Sequence, residues 1–137
     1  MKRRTVKNGS EENKVARLMQ WPCKINLAPV SAPYFDGATL LIAGDCCAYA
    51  YGSFHSDFMK NRITLIACPR GEAEELYRKL LAIISNNAVA GVELLRMEVS
   101  CCGVIEALVK RALSDSGKNI PISIITISTD GKILGNT

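Results

Sequence analysis

The chain has 137 residues, of which 48% are hydrophobic, so it can bury the core of one domain but is too short for two. Its net charge of +4 arises within residues 1–17, where six basic side chains accompany two acidic ones, and the other residues carry eleven of each sign. This balance excludes the clustered cations of a nucleic-acid surface, and we expect a flexible basic tail at 1–20 before one α/β domain at 21–137.

Short apolar runs alternate with segments of helical periodicity along the rest of the chain. In chain order they predict a strand at 24–28, a strand at 39–43, a helix at 48–59, a strand at 62–67, a helix at 71–87, a strand at 92–99, a helix at 103–116 and a strand at 122–128. A turn at Asp130-Gly131 leads to an antiparallel edge at 133–134. The predicted fold is a three-layer α/β sandwich with a mainly parallel sheet of about five strands, Rossmann-like or flavodoxin-like.

The six cysteines are expected to be reduced. No apolar run reaches the roughly 18 residues that cross a membrane, and no apolar stretch follows the N-terminal charges as in a secretory signal. We therefore expect a cytoplasmic protein that binds no membrane. Thiols stay reduced in that compartment, so metal binding, thiol chemistry and packing are the roles left open.

Four of these thiols are predicted to meet at one edge of the sheet. Cys46 follows the strand at 39–43, Cys68 follows the strand at 62–67, and Cys101 and Cys102 follow the strand at 92–99. Carboxyl ends of parallel strands form the edge at which such folds bind ligands. A helix that begins after Cys102 would also lower the pKa of both neighbouring thiols and favour the thiolate. Four thiolates suffice for a tetrahedral metal ion or an iron-sulfur cluster.

Packing is the alternative role for each of these side chains. A free cysteine often behaves as a small buried hydrophobe, and two consecutive residues rarely both face one ligand, so one of Cys101 and Cys102 is open to packing. Cys23 and Cys47 are expected to pack. His55, the only histidine, is a candidate ligand but lies among aromatic residues that favour packing. Asp45 is expected to cap the next helix, with ligand orientation as its second role.

A resemblance to a known family is carried by seven strings of residues. They are WP at 21–22, APYFDGA at 32–38, LLIAGDC at 40–46, FHSDF at 54–58, LIACP at 65–69, MEVSCCG at 97–103 and STDGKIL at 128–134. Across residues 20–134 the chain resembles a domain of iron-sulfur proteins from anaerobic prokaryotes, known as 4Fe-4S ferredoxins or iron-sulfur-binding oxidoreductases. In those proteins a ferredoxin module precedes the domain, whereas this sequence contains no C-x-x-C.

The resemblance implies that Cys46, His55, Cys68, Cys101 and Cys102 lie in the family's motif segments. We expect a redox accessory domain in which the four cysteines, with His55 as a further metal ligand, hold an iron-sulfur cluster or metal ion. It would exchange electrons with a ferredoxin-like or oxidoreductase partner. Zinc and no cofactor are the alternatives at this site.

Two other functions stay open. A metal-free docking domain of a ferredoxin-type oxidoreductase is the alternative function. A thiol enzyme that uses Cys101 or Cys102 as its nucleophile is the third, so the sequence does not decide whether the chain is an enzyme. A homo-oligomer is compatible with all three.

Overall fold

The computed structural model describes residues 15–68, 70 and 72–136. Five strands and three α-helices are found there. The strands are β1 (Thr39–Gly44), β2 (Ile63–Ala67), β3 (Gly91–Met97), β4 (Ile122–Ile127) and β5 (Ile133–Asn136). The α-helices are α1 (Cys47–Ala50), α2 (Ala73–Asn86) and α3 (Ser100–Asp115), and shorter turns are the 3₁₀ segments Ile25–Leu27 and Pro33–Phe35 and the π-helix His55–Met59.

The five strands form one sheet in the order β2-β1-β3-β4-β5. The first four are parallel, and β5 runs antiparallel to β4. Leu40, Leu41, Ile42 and Ala43 of β1 are all buried, which is the pattern of a parallel strand covered on both faces. The predicted α/β class and the antiparallel edge after Asp130-Gly131 are confirmed.

Helices α2 and α3 pack against each other on one face of the sheet. The inward positions predicted for α2, Leu76, Leu80, Ile83 and Ile84, are all buried. Each such side chain contributes about 1.5–3 kcal/mol through burial. Helix α1 lies on the opposite face of the sheet. The connection from β1 to β2 runs one way across the sheet, whereas the connection from β2 to β3 runs the other way, past β1. Because both crossovers are right-handed, their helices lie on opposite faces.

The predicted strand at 24–28 is wrong. Ile25–Leu27 is a 3₁₀ turn in which Ile25 and Ala28 are buried while Leu27 is 64% exposed, so the apolar spacing is that of one tight turn rather than a strand. The segment just before it instead covers the outer edge of β2. The Ile66 amide donates to the Cys23 carbonyl at 2.9 Å, and the Gln20 side-chain amide donates to the Thr64 carbonyl at 2.6 Å. An otherwise open strand edge is thereby paired.

The predicted N-terminal tail lies largely outside the described residues, since its positions 1–14 are not among them. Gln20, at the end of the predicted tail, is buried, and the Arg17 amide donates to His55 Nδ1 at 3.1 Å. The packed part of the chain therefore includes Gln20. No helix in the described ranges is long and apolar enough to span a bilayer.

Two helix predictions need correction. The helix predicted at 48–59 is divided into α1 and the π-helix, with residues 51–54 between them. Helix α3 begins at Ser100, three residues before the predicted start, so Cys101 and Cys102 lie inside its first turn. Its C-terminal stop at Gly117 is confirmed by a φ of 70°, a left-handed conformation that glycine adopts without strain.

Candidate functional site at the carboxyl edge of the sheet

A cavity opens where the strand order reverses. The chain leaves the neighbouring strands β1 and β3 in opposite directions, towards β2 and β4, so the loops that follow them separate at the carboxyl edge. Ligands bind in this crevice in open α/β sheets. Here it encloses about 190 Å³, and we call it the thiol cavity. Its walls come from the segments after β1, β2, β3 and β4.

Four cysteines line the thiol cavity, namely Cys46, Cys68, Cys101 and Cys102. They come from three segments that are distant in sequence and adjacent at the sheet edge. Cys46 and Cys68 are exposed, Cys101 is half-buried and Cys102 is buried. Three of the four cysteines are therefore at least partly exposed, while the fourth, Cys102, is packed in the core.

Cys102 packs beneath the cavity because of where α3 starts. It precedes Ile105 and Val109 by three and seven residues, so it continues the buried stripe of that helix. Burial raises the pKa of the Cys102 thiol above its usual value, and this outweighs the lowering by the nearby Arg96 guanidinium. The prediction that the helix N-terminus makes both thiols acidic is therefore wrong for Cys102.

Gly44 lets two sulfurs approach the end of β1. A Cβ at Gly44 would lie 3.2 Å from Cys102 Sγ, 3.6 Å from Cys47 Sγ and 3.8 Å from Ile105 Cδ1. Any larger residue would displace the Cys102 sulfur.

Cys47 packs, as the sequence predicts. Its side chain is fully buried, and its thiol donates to the Leu95 carbonyl at 3.4 Å. Burial, reinforced by the neighbouring Cys102, raises its pKa to about 12. Cys23, half-buried in the segment beside β2, is not part of the thiol cavity.

Asp45 does not cap α1, contrary to the prediction. Cys46 occupies the N-cap position, and no side chain there bonds to the helix. Asp45 instead lines the thiol cavity, with its Oδ2 at 3.9 Å from Lys24 Nζ. Its Oδ1 is buried and has no hydrogen-bond partner among the described residues. The second predicted role, orienting a ligand, remains for this carboxylate.

His55 lies away from the cysteines. It occupies the π-helix after α1, and its Nδ1 accepts the hydrogen bond from the Arg17 amide. Its ring meets Phe54 edge-on at 6.4 Å between centroids. His55 is not among the residues that line the thiol cavity.

The turn between β4 and β5 forms a wall of the cavity that sequence reasoning missed. Thr129 lines the cavity, and its amide donates to Glu98 Oε2 at 2.7 Å. A Cβ at Gly131, where φ is 87°, would lie 2.6 Å from the Ala50 carbonyl oxygen. The Asp130-Gly131 pair predicts the turn, but it does not encode the close approach of Gly131 to Ala50, which is distant in sequence.

Among residues 15–68, 70 and 72–136, no three side chains of His, Cys, Asp or Glu are placed to hold one metal ion.

Comparison with known proteins places the fold in a family. The chain is 27% identical to an uncharacterized protein of Archaeoglobus fulgidus over 114 residues, which cover 83% of this chain and 81% of that protein. No solved structure matches. A family model described as a Rossmann-like domain matches residues 32–137. Together with the parallel sheet and the cavity at its switch point, this match shows that the chain belongs to the Rossmann-like domain family.

Proposed function

We propose that this protein is a redox accessory domain that holds an iron-sulfur cluster in the thiol cavity and exchanges electrons with a ferredoxin-like partner. The observation that carries the proposal is the convergence of Cys46, Cys68 and Cys101, from three separate segments, on one cavity at the sheet edge. The resemblance of residues 20–134 to iron-sulfur proteins of anaerobes supports the same chemistry.

The four cysteines that line the cavity are the thiolates that either a four-iron cluster or a zinc ion needs. The resemblance of residues 20–134 to iron-sulfur proteins favours the cluster, and zinc is the alternative. When bound, the cluster would supply one-electron transfer.

The protein's own residues would control access to that group. Met97 and Ile105 are buried apolar walls of the cavity, so they would exclude water from one side. Cys46 and Cys68 are exposed at the other side, where a partner could approach. The Arg96 guanidinium lies near the first turn of α3, with its nitrogens 3.8 Å from the position of a Gly103 Cβ. Arg96 also pairs with Glu106 at 3.2 Å between Nη1 and Oε1, so only part of its charge would offset the negative charge of bound thiolates.

The proposal includes the cytoplasm as the compartment, because reduced thiols and an oxygen-sensitive cluster require a reducing environment. The partner would be a ferredoxin-like or oxidoreductase protein that reaches the exposed face of Cys46 and Cys68.

Anaerobic reconstitution tests the proposal. Protein treated with ferrous iron and sulfide should retain both in stoichiometric amounts and show the brown visible absorption of a cluster. Cys68→Ser should lose most of this iron and sulfide, whereas Cys23→Ser, which changes a cysteine outside the cavity, should retain them.

Three results would contradict the proposal. Colourless, metal-free wild-type protein would favour a docking domain or a thiol enzyme, and zinc without sulfide would favour a single-ion site. Equal iron in Cys68→Ser and wild type would show that the cavity is not where iron binds.

A further inference from the structure

We propose that a second pocket, at the amino edge of the sheet, binds a phosphate group. It has a volume of about 410 Å³ and lies where the parallel strands β1 and β2 begin, at the opposite end of these strands from the thiol cavity. Each side chain that lines it carries a hydrogen-bond donor, and the five are Thr39, Ser56, Lys60, Asn61 and Arg62. We call it the amino-edge pocket. None of these residues is a cysteine, so the site goes beyond the proposed function and does not depend on it.

The amino-edge pocket has an excess of positive charge. Its two cationic side chains are Lys60 and Arg62, and none of the residues that line it is acidic. Arg62 pairs with Glu93, whereas the exposed Lys60 forms no ion pair within the described ranges. Asp57, the acid closest to Lys60 in sequence, does not line the pocket and accepts a hydrogen bond from the Tyr51 hydroxyl at 2.6 Å. An anion in the pocket would therefore meet an ammonium group that no acidic side chain of the described chain neutralises.

The guanidinium of Arg62 is held in a fixed orientation. Its Nη1 donates to the Phe58 carbonyl at 2.9 Å, and its Nη2 lies 3.1 Å from Glu93 Oε2. A guanidinium has five N–H groups in a planar fork that matches the oxygens of a phosphate. The N–H groups that Phe58 and Glu93 do not use are therefore oriented before a ligand binds, so binding would cost little side-chain entropy.

Three uncharged donors complete the pocket. The side chains of Thr39 and Asn61 form no hydrogen bond with another residue in the described part of the chain. The contacts of Ser56 Oγ within the chain are long, at 3.4 Å and 3.5 Å. Asn61 has a φ of 62°, a left-handed conformation that asparagine adopts more readily than most residues, and it turns the chain between the π-helix and β2. A phosphate would supply the acceptors that these donors lack within the protein.

This set of donors fits one phosphate group better than a carboxylate or a nucleic acid. At neutral pH a phosphate monoester carries close to two negative charges and offers three acceptor oxygens, whereas a carboxylate has one charge and two oxygens. A nucleic acid would need clustered cations that continue along the surface. Residues 18–137 contain eleven basic and eleven acidic side chains, a balance that favours a small ligand.

Titration of the isotope-labelled protein with phosphate, followed by nuclear magnetic resonance, tests this site. Inorganic phosphate and phenyl phosphate are added separately at neutral pH, with sodium chloride adjusted to keep the ionic strength constant. At least one of them should cause saturable shifts of the amide signals of Lys60, Asn61 and Arg62. Lys60→Gln should weaken this binding about tenfold, because a charge-assisted hydrogen bond is lost, and Lys60→Arg should restore it.

The matched control is Lys110→Gln, which removes the same charge from an exposed lysine on α3 and should bind phosphate as the wild type does. Tighter binding of phenyl phosphate would assign the pocket to a phosphorylated small molecule, and tighter binding of inorganic phosphate would assign it to the free ion; both results support a phosphate site. The absence of a saturable shift with either probe would overturn the inference. Equal weakening in Lys60→Gln and Lys110→Gln would also overturn it, because net charge alone would then attract phosphate.

Discussion

The contact between Gly44 and Cys102 predicts a specific coupling between two substitutions. Gly44 is the last residue of β1, and a Cβ there would lie 3.2 Å from Cys102 Sγ, closer than ordinary van der Waals contact. The backbone φ of Gly44 is not in the positive range, so alanine fits the chain conformation and only the crowding by sulfur opposes it.

The expected magnitudes follow from that geometry. An added methyl group in a packed interior costs about 1–3 kcal/mol, while alanine in place of glycine contributes about 0.4–1 kcal/mol through the lower entropy of the unfolded chain. Gly44→Ala should therefore lower the free energy of unfolding by about 1 kcal/mol. In the Cys102→Ala background the nearest obstacle is gone, and the same change should raise it by about 0.5 kcal/mol. The coupling energy is then about 1.5 kcal/mol, within the range measured for residues in contact.

Urea unfolding of the reduced, metal-free protein measures this coupling. Far-UV circular dichroism is the suitable signal, because Trp21 is 76% exposed and its fluorescence would report poorly on unfolding. If Gly44→Ala has the same effect in both backgrounds, the Cys102 sulfur does not pack against Gly44. Cys102 would then not be held in the core by the end of β1.

Three further predictions concern the thiols and the charges of the sheet. At pH 8 iodoacetamide should label Cys46 and Cys68 faster than Cys47 in the folded protein, and peptide mass spectrometry that finds Cys47 labelled equally fast would contradict its burial. Because the folded pKa of Cys47 is about 12 and its usual value is 9.0, its stabilising contribution is complete below pH 9 and is lost as the pH rises towards 12. Wild type and Cys47→Ala should therefore differ less in free energy of unfolding as the pH rises above 9, by up to about 1.4 kcal/mol per pH unit. Urea titrations at several pH values measure this difference. A difference that does not change with pH would argue against the raised pKa. Glu93→Gln should destabilise the protein by about 1–2 kcal/mol, because it leaves Arg62, 3.1 Å away and 27% exposed, without its half-buried partner. Glu74→Gln, which removes two exposed ion pairs, with Arg78 on α2 and with Arg111 on α3, should cost less than about 0.5 kcal/mol. Equal midpoints for the two variants would show that burial does not strengthen the pair of Glu93 with Arg62.

The sheet could be predicted from the sequence because its central strands are buried on both faces. Their apolar runs at 39–43, 62–67 and 92–99 have few other interpretations when helical segments separate them. The segment at 24–28 is as apolar as a strand, but its buried residues are spaced by three. Strand order and the pairing of residues 20–24 with β2 depend on contacts between distant segments, which periodicity does not encode.

The depth of each site residue could be predicted only in part. The ends of the predicted strands place Cys46, Cys68, Cys101 and Cys102 at the correct edge of the sheet. For Asp45 the sequence predicts a helix cap, because a polar residue just before a helix usually has that role. The structure starts α1 at Cys47, and Cys46 rather than Asp45 occupies the N-cap position, with no side-chain bond to the helix. For α3 a signal was present, since extending its buried stripe backwards from Val109 and Ile105 reaches Cys102 and not Cys101.

The two cysteine pairs follow one geometric rule. In Cys46-Cys47 and in Cys101-Cys102 the first thiol is the more exposed one and the second is buried, because each pair lies at the start of a helix where successive side chains diverge. Both buried sulfurs lie within 3.6 Å of the position of a Gly44 Cβ, so they pack together at the end of β1. Each pair therefore provides one thiol for a ligand and one for the core. With Cys68, three of the four cysteines of the cavity are therefore at least partly exposed, and the fourth, Cys102, belongs to the core.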